Sequence, residues 1–266
     1  MKQRILTGII ALPALLLYIY FANPFFYRLL ILVVAGLALL EFYRMVLPAE
    51  RKQEQLPAVA GGVLFVLLTA TGNATAILAG MSLLLLFWVG WFLFNFRDLN
   101  SVIHHLGLIY LGIFYVGLPL GLLAALGDVP WGRQWVFFIL LLAMASDTAA
   151  YFIGVTFGRR KLYPAISPNK SIEGALGGLA GALIGAVAAK YWFFPVLSVW
   201  ECLLLGLLLG PLAQIGDLAE SMLKRSFGVK DSGHLIPGHG GILDRLDSLL
   251  LLFPPVYFFA LLRGFG

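Results

Sequence analysis

The 266-residue chain is 61% hydrophobic and 14% aromatic, with only 12% charged residues and a formal net charge of +5; an ordinary soluble domain carries roughly 25% charged residues. A water-soluble fold of this composition would expose large apolar patches, so that class is excluded, and the mean hydropathy of +0.95 calls for a bilayer, where backbone groups must be satisfied within helices or a closed barrel. The apolar runs do not alternate and reach about 20 residues, the length of a membrane helix, which selects helices over a barrel.

In chain order, apolar runs at about 4–22, 25–46, 57–72, 75–96, 103–126, 134–157, 172–193, 197–225 and 245–263 predict nine transmembrane helices. The first has the basic start and apolar middle of a signal peptide but lacks a small-x-small cleavage site, so it is read as a helix that stays. The third and fourth are parted only by Thr71, Gly72, Asn73 and Ala74. No polar stretch is long enough to build a second core. The expectation is one polytopic all-α membrane domain over 1–266, with amino-terminal helices in 1–130 and the polar loops and functional residues in 131–266. Cys202, the one cysteine, lies in an apolar run and reads as a packing residue, and the His104–His105 pair reads as interfacial.

With nine helices, 14 of the 18 Lys and Arg residues fall on the side of the amino terminus, and Arg28, Arg133, Lys190 and Arg263 fall on the other. The positive-inside rule then puts the amino terminus and both long polar loops in the cytoplasm. Gly174, Gly177, Gly178, Gly181 and Gly185 in the seventh run, and Gly206 with Gly210 in the eighth, set small-xxx-small spacings that let helix backbones approach closely. Packing within one chain is the first reading and a homodimer the alternative.

Ionisable groups inside such runs face protein or a wet cavity, because each costs roughly 2.5–3.5 kcal/mol at mid-bilayer. Asp147 lies well inside the sixth run, with Tyr151, Gly154 and Gly158 on the same side, and is read as lining a polar cavity rather than only bonding a neighbouring helix. In the eighth run Gln214, Asp217, Glu220, Ser221, Lys224 and Arg225 recur at three- and four-residue steps and form a polar stripe. Lys230 and Asp231 then open a turn-rich link ending in Pro237, Gly238, His239, Gly240 and Gly241, whose backbone N–H groups suit an anion nest. His234 in the same link is read as solvated. Asp244 and Asp247, three apart at the start of the ninth run, are expected to point the same way, with Arg245 between them. Carboxylates beside basic residues and a nest suit magnesium-assisted phosphate chemistry. The other polar loop, FGRRKLYPAISPNKSIEG, offers Ser167, Asn169 and Lys170 before a helix start, another place to hold an anion; Arg159, Arg160 and Lys161 are either topogenic or part of it.

The residues from Ser221 to Asp247 match S-x-x-K-R-x4-K-D-x-G-x3-P-x-H-G-G-x2-D-R-x-D, which resembles the signature of the phosphatidate cytidylyltransferases, or CDP-diacylglycerol synthases. The likeness extends to Gly216–Asp217, the SPNKSIEG turn and Asp147–Tyr151, with Ile172 standing where an aromatic is more usual; residues before 130 resemble the family only as apolar helices. It implies that CTP and phosphatidic acid give CDP-diacylglycerol and pyrophosphate at the cytoplasmic boundary of a bacterial inner membrane, with Mg2+ and a second metal ion as an open alternative. It assigns Asp217 and Asp244 to metal, with Asp247 and Asp231 as further ligands or supports. Ser221, Lys224, Arg225, Lys230, His239, Gly240 and Gly241 are assigned to phosphates, and Arg245, Lys170, Asn169, Ser167 and Asp147 complete the expected substrate patch. Membrane lipids are expected partners and nucleic acid is not. The competing readings are a CTP-dependent polyisoprenoid or phytol-type lipid kinase and a transporter with intramembrane carboxylates.

Overall fold

The computed structural model describes residues 13–96, 98–235 and 240–264. Residues 4–12 of the first predicted helix and the predicted phosphate contact His239 lie outside them. The chain divides into two compact units, one reaching to Val129 and including Asp231–Asp244, the other formed by Pro130–Lys230 and the residues from Arg245 onward.

In the first unit, residues 13–21 form α1. Pro24 in the first turn and the Asn23 side chain, which accepts from Phe26 N–H, start α2 (Pro24–Val46). It is followed by α3 (Lys52–Thr69), α4 (Ala74–Asn95, capped by Asn73) and α5 (Leu99–Gly112, capped by Asp98). A π-helical segment, Ile113–Gly117, joins α5 to α6 (Leu118–Leu126). Pro119 lacks the N–H that would bond one turn back, and the wider turn lies just before it. Helix α2 packs on α3 and α6. Its tyrosines reach across: Tyr43 donates its hydroxyl to Ile109 O at 2.8 Å and Tyr27 donates to Leu123 O at 2.7 Å. Arg51, counted among the topogenic cations, is instead buried against Glu54 at 2.6 Å and lies over the Phe92 ring at 5.3 Å. His105 is buried rather than interfacial, whereas His104 is exposed.

The second unit contains α7 (Gly132–Phe157), an antiparallel hairpin of β1 (Lys161–Tyr163) and β2 (Ser167–Ser171), α8 (Ile172–Trp192) and α9 (Val199–Ser226). The small strands are a departure from the all-α expectation. The hairpin is held at its base by Glu173, which accepts from Arg159 N–H at 3.0 Å and Arg160 N–H at 3.2 Å. Ser171 caps α8 by accepting from Gly174 N–H. The glycine spacings serve packing within the chain, as read. A Cβ on Gly185 would come within 2.9 Å of Ala145 Cβ on α7, and one on Gly210 within 2.9 Å of Ala182 Cβ on α8. Cys202 is buried, consistent with its packing role.

The ninth predicted helix is broken. One helical turn, α10 (Leu243–Leu246), gives way to turns over 247–252, and α11 spans only Phe253–Gly264. Pro254 and Pro255 suit the first turn of a helix and disfavour continuation of one, so the sequence starts a helix at Phe253 instead of extending one from Asp244. Among the described residues, six helical stretches are long and apolar enough to cross a membrane: Pro24–Val46, Ala74–Asn95, Leu99–Leu126, Gly132–Phe157, Ile172–Trp192 and Val199–Ser226. Helix α3 is not among them, since its first turn is polar (Lys52, Gln53, Glu54, Gln55).

Candidate active site

Within the second unit, α7, the hairpin, α8 and α9 enclose a cavity of about 590 Å3 whose polar lining comes from Asp147, Asn169, Lys170, Gln214 and Asp217. Sequence spacing explains the contributions. Asp147 and Tyr151 are one turn apart on α7, Gln214 and Asp217 one turn apart on α9, and the hairpin delivers Asn169 and Lys170 to the start of α8. The absence of a side chain at Gly178 makes room for Gln214: a Cβ there would lie 2.7 Å from Gln214 Nε2, which donates to Ala175 O at 2.9 Å.

Lys170 Nζ pairs with Asp217 Oδ2 at 2.5 Å. Asp217 Oδ1 also faces the Ser221 hydroxyl at 3.4 Å, one turn further along α9. The next turn joins Lys224 Nζ to the buried carboxyl of Glu220 at 3.2 Å. Two negative groups approach from elsewhere: Asp147 Oδ2 lies 3.5 Å from the Ser248 hydroxyl, and Asp247 Oδ1 accepts from Ser248 N–H at 2.6 Å. Asp247, in the turns after α10 and outside the six candidate spans, has its pKa pushed up to about 6. Burial is the main cause, and the nearby Asp217 and Asp147 carboxyls add to it, partly offset by the Ser248 N–H and Lys224.

A raised carboxyl pKa means that the fold favours the neutral form. The stability this contributes is present below the ordinary carboxylate range and is lost as pH rises through about 6. Asp247→Asn keeps the acceptor for Ser248 N–H and removes the charge. In protein free of divalent ions near neutral pH it is expected to raise Tm by about 2–4 °C and to flatten the dependence of Tm on pH across that window. A lower Tm, or an unchanged pH dependence, would contradict this account.

The signature loop lies in the first unit. Asp244 is buried, and its Oδ2 accepts from Ser232 N–H at 2.9 Å, Ser232 Oγ at 3.0 Å and Gly241 N–H at 2.8 Å. Gly240 has φ +85°, a conformation that favours glycine, and a Cβ there would meet Asp244 Oδ2 at 2.7 Å. Asp244 and Asp247 do not share the one continuous helix expected of them: α10 ends at Leu246, before Asp247. Asp244 is held by the loop's own donors, and Asp247 follows the single turn of α10. Of the other predicted residues, Asp231, Lys230 and Arg245 are exposed, and Ser167 sits at the start of β2 opposite Tyr163. Arg225 Nη1 donates to Val229 O at 3.2 Å, closing the carboxyl end of α9.

Among the described residues no three His, Cys, Asp or Glu side chains converge closely enough to hold a metal ion on their own. The carboxyls of Asp147, Asp217 and Asp247 influence one another and are the oxygen donors that Mg2+ takes, commonly one or two of them together with water and substrate phosphates. A polar cavity with one cation, crowded carboxyls and a neighbouring basic helix end fits a phosphate-bearing substrate.

A family model described as "Cytidylyltransferase family" matches residues 2–262. The chain belongs to the cytidylyltransferase family. Among curated members, the phosphatidate cytidylyltransferase of Bacillus subtilis (strain 168) is 34% identical over 268 residues, covering 97% of each chain. That of Staphylococcus aureus (strain COL) is 47% identical over 123 residues, 46% of this chain and 47% of its own. That of Brucella suis biovar 1 (strain 1330) is 44% identical over 156 residues, 56% of this chain and 55% of its own. One residue of this family member escaped the sequence reading altogether: Glu41, buried in α2 and bonded to Ser232 and Leu243. Its signal was available, a lone carboxyl inside the apolar run LALLEFYRMV.

Proposed function

We propose that this protein is an integral-membrane phosphatidate cytidylyltransferase that converts CTP and phosphatidic acid to CDP-diacylglycerol and pyrophosphate in a bacterial inner membrane. Family membership supports the activity. The observation that carries the site is the cavity in which Lys170 is ion-paired with Asp217 beside Asp147. In the reaction, a phosphatidate phosphate oxygen forms a bond to the α-phosphorus of CTP, and the bond from that phosphorus to the bridging oxygen of pyrophosphate breaks. The attacking oxygen is already anionic at neutral pH, so the protein's work is orientation and charge neutralisation rather than proton abstraction.

Lys170 is the mobile cation: it rests on Asp217 and transfers to substrate phosphate. Lys224 and Ser221 extend the same polar stripe toward Arg225 and Lys230, and the resemblance adds His239, Gly240 and Gly241 to the residues that would hold the phosphates. By the resemblance, Asp217, Asp244 and Asp247 are the residues that would hold Mg2+, which would supply charge neutralisation for the phosphates. The acyl chains stay in the bilayer, and the polar loops face the cytoplasm, where CTP is found.

The test is CTP labelled at the α-phosphate, offered to the purified protein in mixed micelles with phosphatidic acid and, in parallel, with a polyisoprenoid alcohol. Label is expected in the lipid fraction, with unlabelled pyrophosphate released. Label remaining wholly in CDP would identify a CTP-dependent lipid kinase instead, and no turnover of CTP at all would favour a transporter.

A further inference from the structure

Besides its charged groups, the cavity of the second unit is lined by Tyr151 and Val155 of α7 and by Leu162 of β1. Asp147, Tyr151 and Val155 follow one another at four-residue steps, so one face of α7 runs from a carboxyl to an apolar pair. Tyr151 is 66% exposed and Val155 71% exposed. The same two side chains therefore face both the cavity and the outer surface of the helix, which makes them a lip. Behind the lip, α7 and α8 meet backbone to backbone: Gly154 and Gly174 both line the cavity, and a Cβ on Gly174 would lie 3.1 Å from Gly154 Cα.

Depth decides what surrounds this lip. Helix α7 is one of the candidate spans and ends at Phe157. At about 1.5 Å per residue, Val155 lies about 3 Å inside that end, Tyr151 about 9 Å and Asp147 about 15 Å, half of a hydrocarbon core of about 30 Å. The cavity thus opens sideways at a level where acyl chains begin. A soluble nucleotide needs no such opening. A lipid does, because its chains gain nothing by leaving a bilayer as apolar as the protein interior, so drawing in the headgroup alone is the least costly way to bind it. Lys170 supplies a cation for that headgroup.

We propose that the lip is a lateral port for a diacyl lipid bearing a phosphate monoester, with the phosphate on Lys170 and the ester-linked start of the acyl chains against Tyr151 and Val155. Tyr151 is then a specificity-determining residue: its ring packs on the chains and its hydroxyl stays at the polar boundary, the level at which tyrosines anchor in membranes. The proposal rests on the cytidylyltransferase reading and deepens it, by giving the Lys170 cavity to the lipid substrate instead of the nucleotide.

The test uses phosphatidate with a photoreactive diazirine near the ester end of one acyl chain. It is bound to the full-length protein in mixed micelles without CTP and irradiated, and the adducts are mapped by mass spectrometry. Adducts are expected at 151–155, suppressed by excess unlabelled phosphatidate and not by CTP or by phosphatidylglycerol with the same chains. Adducts equally abundant at Leu86 and Phe94, exposed apolar residues of α4, would overturn the proposal, since they mark lipid contact without a site. Suppression by CTP, or by the phosphodiester lipid, as strong as that by phosphatidate overturns it as well.

Kinetics test the same lip. Val155→Trp crowds it and is expected to raise the KM for phosphatidate about tenfold, with the KM for CTP within about twofold of wild type. Tyr151→Ala is expected to raise the KM for phosphatidate about fivefold, and Tyr151→Phe, which keeps the ring, less than about twofold. An unchanged KM for phosphatidate in Val155→Trp, or an equal rise in both KM values, counts against the port. If Val155→Trp does not fold, the adduct map on wild-type protein decides. That map needs no turnover, so adducts at 151–155 in a protein that transfers no label from CTP to lipid leave the port standing and sink the cytidylyltransferase reading.

Discussion

Asp217→Asn is expected to lower cytidylyl transfer by about a thousandfold, the scale on which losing a metal-binding or charge-stabilising group usually registers, while the protein still inserts and purifies normally. Asp217 is where three influences meet. It holds Lys170 at 2.5 Å, faces the Ser221 hydroxyl, and raises the pKa of Asp247. Its side chain is 32% exposed and that of Lys170 is 28% exposed, so the pair is partly screened and contributes little to folding. Asparagine keeps the shape and the acceptor for Ser221 but not the charge. Turnover therefore collapses without a matching drop in Tm, and the Asp247 pKa falls toward the ordinary carboxylate range because a repelling neighbour is gone. Activity within about tenfold of wild type at saturating Mg2+ would remove Asp217 from the site.

Lys170→Ala separates the two jobs of the lysine. If Lys170 moves from Asp217 to substrate phosphate as proposed, its loss is expected to cost about a hundredfold in kcat/KM, comparable to removing one preorganised electrostatic donor. Its removal also frees Asp217 from a competing charge, so the Mg2+ concentration for half-maximal rate should fall rather than rise. These opposite movements are what a topogenic lysine would not produce: its loss would change yield or orientation and leave both constants alone. A rate loss accompanied by weaker Mg2+ dependence on the opposite sign, that is, a higher half-saturating concentration, would mean that Lys170 supports the metal carboxyls instead of competing with phosphate for them.

Much of the architecture is legible from hydropathy because membrane helices are local objects: length and apolarity decide them one segment at a time. The six candidate spans correspond to six predicted runs. The runs that fare differently are those where length alone misleads. The stretch 57–72 belongs to a helix that begins earlier, in a polar turn at Lys52, and 245–263 is interrupted because Pro254 and Pro255 open a new helix. The hairpin at Lys161–Ser171 carries no strong strand pattern, and its closure depends on Glu173 binding the backbone at Arg159 and Arg160.

For the site, periodicity on one helix placed Gln214, Asp217, Ser221 and Lys224 on a single stripe, and the intramembrane-charge rule singled out Asp147. Composition and the signature spacing were enough to point to an apolar helical membrane protein and to its family. Only the tertiary structure decided that Lys170 rests on Asp217, that Asp244 Oδ2 accepts from Ser232 and Gly241 of its own loop, that Arg51 pairs with buried Glu54, and that Glu41 reaches Ser232 and Leu243 from 191 and 202 residues away. The physical reason is the range of each signal. Helix formation and side-chain periodicity are set by neighbours within a few residues, whereas the partner that satisfies a buried charge is chosen by packing between segments, which no local pattern encodes.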